Sequence, residues 1–301
     1  MSNTAVAQSP DKVENIAVES YWRNVLRRFC MNRLAVVSFF ALLAIVLLCI
    51  LVPIFSPYRM ETTRLDEAIR DQPPTASHWL GTDKIGRDLF TRLFYGGQVS
   101  LGTALAATFC MCILGVVLGS VAGYYGGVTD ALVMRLSEIF MSFPFMIMAI
   151  TLAAVFGSGP MNLVLVLAVL GWTSICRIVR GQILTLRELE YMEACEALGI
   201  SDIRRIFKHL FPNVLAYVIV YATLSMASVI LTETAMSFLG LGVSPPTPSW
   251  GNLIQEAREL STLANKWWYW MPPGFMIFIS VMCFNILGDG LRDAIDPKMK
   301  R

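Results

Sequence analysis

The sequence predicts an all-α, polytopic membrane protein that crosses the bilayer six times. The chain has 301 residues, of which 55% are hydrophobic and only 15% are charged, and its mean hydropathy is +0.59. Soluble domains typically contain roughly 45–50% apolar and about 25% charged residues, so a soluble globule of this size is excluded. The 24 basic and 22 acidic residues nearly balance, and no nucleic-acid partner is therefore expected.

Five apolar runs account for the six predicted crossings, because a transmembrane helix needs about 20 predominantly apolar residues. Turn-forming residues at 157–160 divide one long uncharged run into two spans. The six predicted spans are residues 34–55, the first part of 98–129, 139–156, 161–176, 210–232 and 267–288.

An even number of crossings brings both termini to one side of the membrane. If that side is the cytoplasm, most of the 24 Lys and Arg residues are cytoplasmic, so the positive-inside rule predicts an N-in, C-in topology. A short helix is also predicted at 250–263, after a proline-rich turn. The predicted domains are a cytoplasmic N-terminal segment with an interfacial helix (1–33), the first transmembrane helix and outer loop (34–97), and a five-helix core (98–301).

Two residues are candidates for a role in a pore or gate. Glu233 lies at the outer end of the fifth span, between two threonines. Two interpretations are open: it lines a gate or cavity, or it is a structural residue held by hydrogen bonds. Pro144 lies early in the third span, where proline kinks a helix. The predicted kink has two interpretations: it borders a translocation path, or it has a purely structural role.

Glycines recur every four residues late in the second span, at Gly115, Gly119 and Gly123. Small residues at this spacing form one stripe on a helix and allow a second helix to approach closely. We therefore expect a tightly packed partner helix, in this chain or in a second subunit.

Sequence motifs for catalysis are absent, which predicts a non-catalytic subunit. The chain has no phosphate-binding GxxxxGK[ST] loop, no HExxH and no GxSxG. Its seven cysteines and two histidines show no metal-ligand spacing, so neither a metal nor a cofactor is expected. Any nucleotide used in transport would be bound by another chain.

The segment at about 177–212 is too long for a simple connection between bundle helices, which typically takes about 2–8 residues. Strong helix formers lead to Gly199, which suits a helix C-terminus. Ser201 then suits the N-cap of a second helix that leads to Pro212, at the start of the fifth span. This helix–turn–helix predicts a rigid protrusion that docks on another protein.

This segment resembles the EAA motif of permease subunits of bacterial ABC importers. Glu193, Ala194, Gly199 and Pro212 match the motif, and Cys195 replaces its second Ala. Residues 80–88 (LGTDKIGRD), 238–251 and 285–297 are similar to further segments of the dipeptide, oligopeptide and nickel permeases, specifically their C-type member.

The resemblance implies a type I ABC importer permease in the bacterial cytoplasmic (inner) membrane, in contact with lipid. It implies ATP-driven translocation of peptides by alternating access; the alternatives are nickel or another small solute, or an ion-coupled secondary transporter. The implied partners are a B-type permease, two ATPase subunits that bind ATP and Mg, and an extracytoplasmic substrate-binding protein. The residues expected to couple to the ATPase are Glu193, Ala194, Cys195, Ala197 and Gly199.

Overall fold

The computed structural model describes residues 21–58 and 70–295, and this part of the chain is almost entirely helical. Within it, the only β-type pairing is a single antiparallel bridge between Thr82 and Asp88. Parts of the predicted N-terminal segment (1–20) and outer loop (59–69), together with Pro297, lie outside the described residues.

Twelve α-helices occur in the described residues, and a π-helical stretch, Arg205–Leu210, joins the eighth to the ninth. They are α1 (Tyr21–Met31), α2 (Arg33–Phe55), α3 (Leu89–Tyr125), α4 (Gly127–Ser142), α5 (Phe145–Phe156), α6 (Pro160–Arg187), α7 (Glu190–Ala197), α8 (Asp202–Arg204), α9 (Phe211–Phe238), α10 (Trp250–Gln255), α11 (Leu260–Asn265) and α12 (Trp267–Ile295).

Five helical segments of the described chain are long and apolar enough to cross a membrane, and a sixth crossing arises if α4 and α5 act together. The third span is predicted at 139–156 with a kink at Pro144, whereas the structure breaks it into α4 and α5, which meet at a 90° bend. Phe143 is extended at the break, and Pro144 precedes the first residue of α5. Proline disfavours helical geometry in the residue before it, so it ends α4 here instead of kinking a continuous helix.

Several other predicted boundaries also change. α3 begins at Leu89, well before the predicted span, and α6 continues past residue 176 to Arg187. Both extensions are amphipathic or polar, so hydropathy alone does not detect them. The single helix predicted at 250–263 is two short helices, α10 and α11, whereas the helix predicted within the segment 1–33 is present as α1.

The long helices form an antiparallel bundle with two ends, called here the α7 end and the α10 end. At the α10 end, the amide of Gly159 before α6 donates to the carbonyl of Gly242 after α9, at 2.8 Å. At the opposite end, Val25 of α1 packs against Ala216 of α9 and Ile295 of α12. α1 and the end of α12 therefore lie on the same side of the bundle as α7.

Close packing of α3 on α6 is the most extensive helix–helix contact in the described chain. A methyl group on Gly115 would overlap Ile175 and lie 2.9 Å from the carbonyl oxygen of Trp172. A methyl group on Gly119 would lie 2.5 Å from the carbonyl oxygen of Cys176. The partner helix of the glycine stripe is therefore α6 of the same chain.

We expect Gly115→Ala to destabilise the bundle by about 1–3 kcal/mol, because the added methyl group overpacks the α3–α6 contact. The matched control is Gly102→Ala, in the same helix, where an added methyl group meets nothing within 4 Å. This control is expected to be neutral or stabilising by up to about 1 kcal/mol. Unfolding of the purified chains in detergent measures both, and equal effects would contradict the close-packing argument.

Candidate functional site

α7 is held against the bundle by its apolar face. Met192 and Cys195 are buried, and Met192 joins a cluster that includes Ile183 of α6 and Val214 of α9. Residues three apart share one face of a helix, so this pair anchors α7 while its other side remains exposed. A force on α7 is therefore transmitted to both α6 and α9.

Polar contacts fix the same region to α3. The Tyr124 hydroxyl donates to Asp202 at 2.9 Å, and Arg205 donates to Asp202 at 2.6 Å and to Glu196 at 3.1 Å. The Arg205 guanidinium also lies 5.7 Å from the Tyr124 ring centroid, within the range of a cation–π contact. Arg187 donates to a main-chain carbonyl at the end of α3 at 3.1 Å. These contacts tie α7 and α8 to the ends of the transmembrane helices.

Gly199 ends α7 in the left-handed conformation, with φ +69°. Its amide donates to the Glu196 carbonyl at 2.9 Å, and the Ile200 amide donates to the Cys195 carbonyl at 3.0 Å. This pair of hydrogen bonds is a Schellman motif, and it confirms the predicted glycine turn. Ser201 occupies the N-cap position of α8, although its side chain makes no capping hydrogen bond.

The other side of α7 is exposed, as are parts of the turn, α8 and the π-helical stretch that follow it. The predicted coupling residues Glu193, Ala194, Ala197 and Gly199 are exposed, whereas Cys195 faces the bundle. The structure adds three exposed apolar side chains that sequence reasoning missed, namely Leu198, Ile203 and Phe207. We call these seven exposed residues the α7 surface.

A half-open cavity of about 450 Å³ lies on one face of the bundle. Its walls are the broken α4–α5 segment, α6 and α9, with one residue from α3. The apolar part of the lining includes Met111, Phe140, Met141, Phe143 and Phe145. The polar part consists of hydroxyl-bearing side chains on α6 and α9. Pro144 lies at the break beside this cavity, between two of its lining residues.

Glu233 lies outside the lining of this cavity and is fully buried. The Ser237 hydroxyl donates to its carboxylate at 2.8 Å, and the hydroxyls of Ser100 and Ser249 surround the same group. The Ser100 hydroxyl in turn accepts a hydrogen bond from the main-chain amide of Trp250, at 3.1 Å. Glu233 therefore joins α9 to α3 and to the start of α10.

A buried ion network closes the α10 end. Asp83 accepts hydrogen bonds from Arg92 at 2.5 Å and from Arg87 at 2.6 Å, and Arg92 also pairs with Glu256 at 2.9 Å. Asp83 and Arg92 are both almost fully buried. The network contains two acidic and two basic side chains, so its charges cancel. Its hydrogen bonds link the segment before α3 to the end of α10.

A second, exposed pair lies beside this network. Lys84 donates to Glu259 at 2.8 Å, and this contact lowers the pKa of Glu259 below its usual value. A carboxyl whose pKa is lowered by folding stabilises the folded state above its unfolded pKa and loses that contribution as the pH falls through the folded value. The link therefore weakens only in acid, and its exposure keeps its contribution small.

Comparison with known proteins identifies the family to which this chain belongs. A family model described as "Binding-protein-dependent transport system inner membrane component" matches residues 115–301, and a second, "N-terminal TM domain of oligopeptide transport permease C", matches residues 20–74. The chain belongs to this family of inner-membrane permeases. The permease is accordingly a multi-pass protein of the inner membrane, as the resemblance of its motifs predicts.

Curated relatives match the permease along most of its length. It is 41% identical over 289 residues to the oligopeptide transport system permease protein OppC of Escherichia coli K12, which covers 95% of this chain and 94% of the relative. It is 39% identical over 282 residues to OppC of Bacillus subtilis, and this match covers 94% of the chain and 91% of the relative. It is 38% identical over 282 residues to the dipeptide permease DppC of B. subtilis, covering 94% and 87%.

We expect Asp83→Asn to destabilise the permease by about 3 kcal/mol, because breaking a buried ion pair from one side leaves an incompletely paired charge. The matched control is Glu259→Gln, which breaks the exposed pair with Lys84 and should leave the melting temperature unchanged. Thermal unfolding in detergent checks both variants. A melting temperature that Asp83→Asn leaves unaltered would show that the network does not hold the α10 end together.

We expect Gly199→Ala to loosen the turn after α7, because a side chain in the left-handed region costs about 1–2 kcal/mol. Hydrogen exchange of the amides that form the Schellman motif should then accelerate by a factor of roughly 5–30. Gly181→Ala in α6 is the control, since an added methyl group there meets nothing within 4 Å. Unchanged exchange at residues 199–200 would contradict the strain argument.

Proposed function

We propose that this permease is the translocation subunit of an ATP-driven ABC importer for peptides and works by alternating access. Its relatives are named as oligopeptide and dipeptide permeases. The observation that carries the proposal is the packing of α7 on α6 and α9, the two helices that supply most of the residues lining the cavity. α7 also lies between α6 and α9 along the chain.

The α7 surface is the proposed docking site for an ATPase subunit. It combines acidic Glu193 with the exposed apolar side chains of Leu198, Ile203 and Phe207. Exposed apolar side chains in a segment that also carries exposed charges are a feature of protein interaction sites. Cys195 contributes indirectly, by holding α7 against the bundle.

The proposed assembly contains a second, B-type permease, two ATPase subunits that bind ATP and Mg, and an extracytoplasmic substrate-binding protein. The α7 end faces the cytoplasm in this assembly, with both termini on that side. Rearrangement of the ATPases moves α7, and its packing on α6 and α9 carries the movement to the cavity walls. Such a contiguous set of packed side chains is the physical requirement for coupling two distant sites.

An ion-coupled carrier is a competing proposal that the cavity does not favour. Carriers of that kind place ionisable groups at the path of the substrate. The described residues that line the cavity carry no charged side chain. Nickel or another small solute as the cargo is not favoured, because the relatives described above are named as peptide permeases.

The proposal predicts that Leu198→Asp abolishes the association with the ATPase subunits. Leu198 is 79% exposed, so the variant should fold normally, and a charge at the centre of the interface should weaken binding at least about tenfold. The measurement is co-purification of the assembled transporter in detergent, followed by ATP-dependent peptide uptake in proteoliposomes.

Leu260→Asp is the matched control, because Leu260 is 80% exposed but lies at the α10 end of the bundle. It should retain the ATPases. Equal retention of the ATPases by the two variants would refute the docking site. Uptake by the permease alone on an ion gradient would refute the importer role itself.

A further inference from the structure

α1 packs on the bundle through one face and leaves the opposite face exposed. Val25 is buried in a cluster with Ala216 of α9 and Ile295 of α12. Phe29, one turn further along α1, packs against the same cluster. Residues four apart share one face of a helix, so this face is already occupied by the protein. The opposite face of α1 is therefore available to a different partner.

The exposed face of α1 is basic. Residues 21–33 contain four arginines and no acidic residue. Arg23 and Arg27 are exposed one helical turn apart, and Arg33 is exposed at the start of α2. Within residues 21–58 and 70–295, no carboxylate forms an ion pair with any of these three side chains. The described part of the chain therefore leaves their positive charges without a counter-charge.

Apolar side chains are exposed between these arginines. Leu26 is 63% exposed, three residues after Arg23, and Met31 is 75% exposed, four residues after Arg27. These spacings place the four side chains on the same side of α1. α2, which is long and apolar enough to cross the membrane, continues this surface with Leu34, which is 69% exposed. The basic face of α1 therefore joins the exposed apolar surface of a membrane-spanning helix.

A phospholipid with a net negative charge matches both parts of this face. A guanidinium group donates two parallel hydrogen bonds to phosphate oxygens and stays charged at neutral pH. The aliphatic stem of arginine packs along apolar surfaces while its charged end stays in the polar headgroup region. Leu26 and Met31 are suited to the first methylene groups of the acyl chains. A soluble phosphate ion would use only the arginines and would leave both apolar side chains in water.

We infer that the exposed face of α1 binds an anionic phospholipid, with its phosphate at Arg23 and Arg27 and its acyl chains against Leu26 and Met31. In the topology proposed above, this lipid lies in the cytoplasmic leaflet. Because Val25 packs α1 on α9 and α12, the bound lipid stabilises the position of both helix ends. The site depends on neither the cargo nor the ATPases, so it goes beyond the proposed function.

The test compares two lipids with identical acyl chains, phosphatidylglycerol and phosphatidylcholine, which both carry a phosphate but differ in net charge. Each is titrated into the full-length permease in a neutral detergent, and bound lipid is counted by native mass spectrometry. Wild type should bind phosphatidylglycerol more tightly. Arg23→Gln/Arg27→Gln should weaken that binding at least about tenfold, because each basic residue at an anionic surface contributes separately, and should leave phosphatidylcholine binding unchanged. Equal affinity of wild type for the two lipids would overturn the inference.

Arg135→Gln/Arg258→Gln is the matched control, since it removes the same charge from two exposed positions elsewhere. It should bind phosphatidylglycerol as wild type does. Arg23→Lys/Arg27→Lys keeps the charge on α1 and should stay within about threefold of wild type. If the control variant loses as much affinity as Arg23→Gln/Arg27→Gln, net charge alone explains the binding and the site on α1 is refuted.

Thermal unfolding gives a second readout that does not depend on counting lipids. A ligand that binds only the folded state raises the melting temperature, so phosphatidylglycerol should stabilise wild type more than Arg23→Gln/Arg27→Gln. Without lipid, the two proteins should melt at the same temperature, because both arginines are exposed.

An independent variant covers the case in which removal of the arginines destabilises the chain even without lipid. Leu26→Glu places an acidic group on the same face and leaves both arginines in place. It should weaken phosphatidylglycerol binding about tenfold. Binding as tight as that of wild type would show that another molecule, such as a partner protein, covers this face, and the inference would fail.

Discussion

The close approach of α3 to α6 is the contact on which the rest of the bundle depends. Three glycines on α3 leave no room for side chains, so the backbones meet with little between them. Association within a membrane relies on packing of this kind, because lipid tails are as apolar as the helices and provide no hydrophobic driving force. The contact holds α6 as a fixed wall along its length, from the α10 end to the segment that enters α7.

α9 and the broken α4–α5 segment complete the cavity against this wall. α7 links the two walls at one end, and the buried charges around Arg92 link the helices at the other. The bundle is therefore constrained separately at its two ends. Glu233 contributes to the second constraint, since its carboxylate gathers hydroxyls from α3, α9 and the N-cap of α10.

Much of this architecture can be predicted from hydropathy and spacing, and the exceptions have physical causes. The apolar runs predict five long spans and an apolar α4–α5 segment but not the lengths of the helices, because the polar ends of α3 and α6 carry no hydropathy signal. The break at Phe143 is hidden for the same reason, since both residues at the break are apolar. Proline is the available signal, and it indicates a bend without distinguishing a kink from a complete interruption.

The candidate coupling residues follow the same logic. The glycine turn at Gly199 is predictable because few residues adopt its backbone conformation. The inward orientation of Cys195 follows from its spacing of three from Met192 once the helix bounds are known. The sequence does not single out Leu198, Ile203 and Phe207, because apolar residues between two apolar spans do not differ in hydropathy from their surroundings. Only their exposure in the structure distinguishes them.

The hydrogen-bonded partners at the α10 end are far apart in sequence, which affects the order in which they become available during synthesis of the chain. Arg92 meets Asp83 as soon as that part of the chain has been made, but Glu256 follows 164 residues later. Trp250, which donates to the Leu93 carbonyl, is 157 residues away. All residues of the α3–α6 contact are synthesised before Trp250 and Glu256. The nascent protein can therefore form the α3–α6 contact first, and until Glu256 is made Arg92 has only one of its two counter-charges.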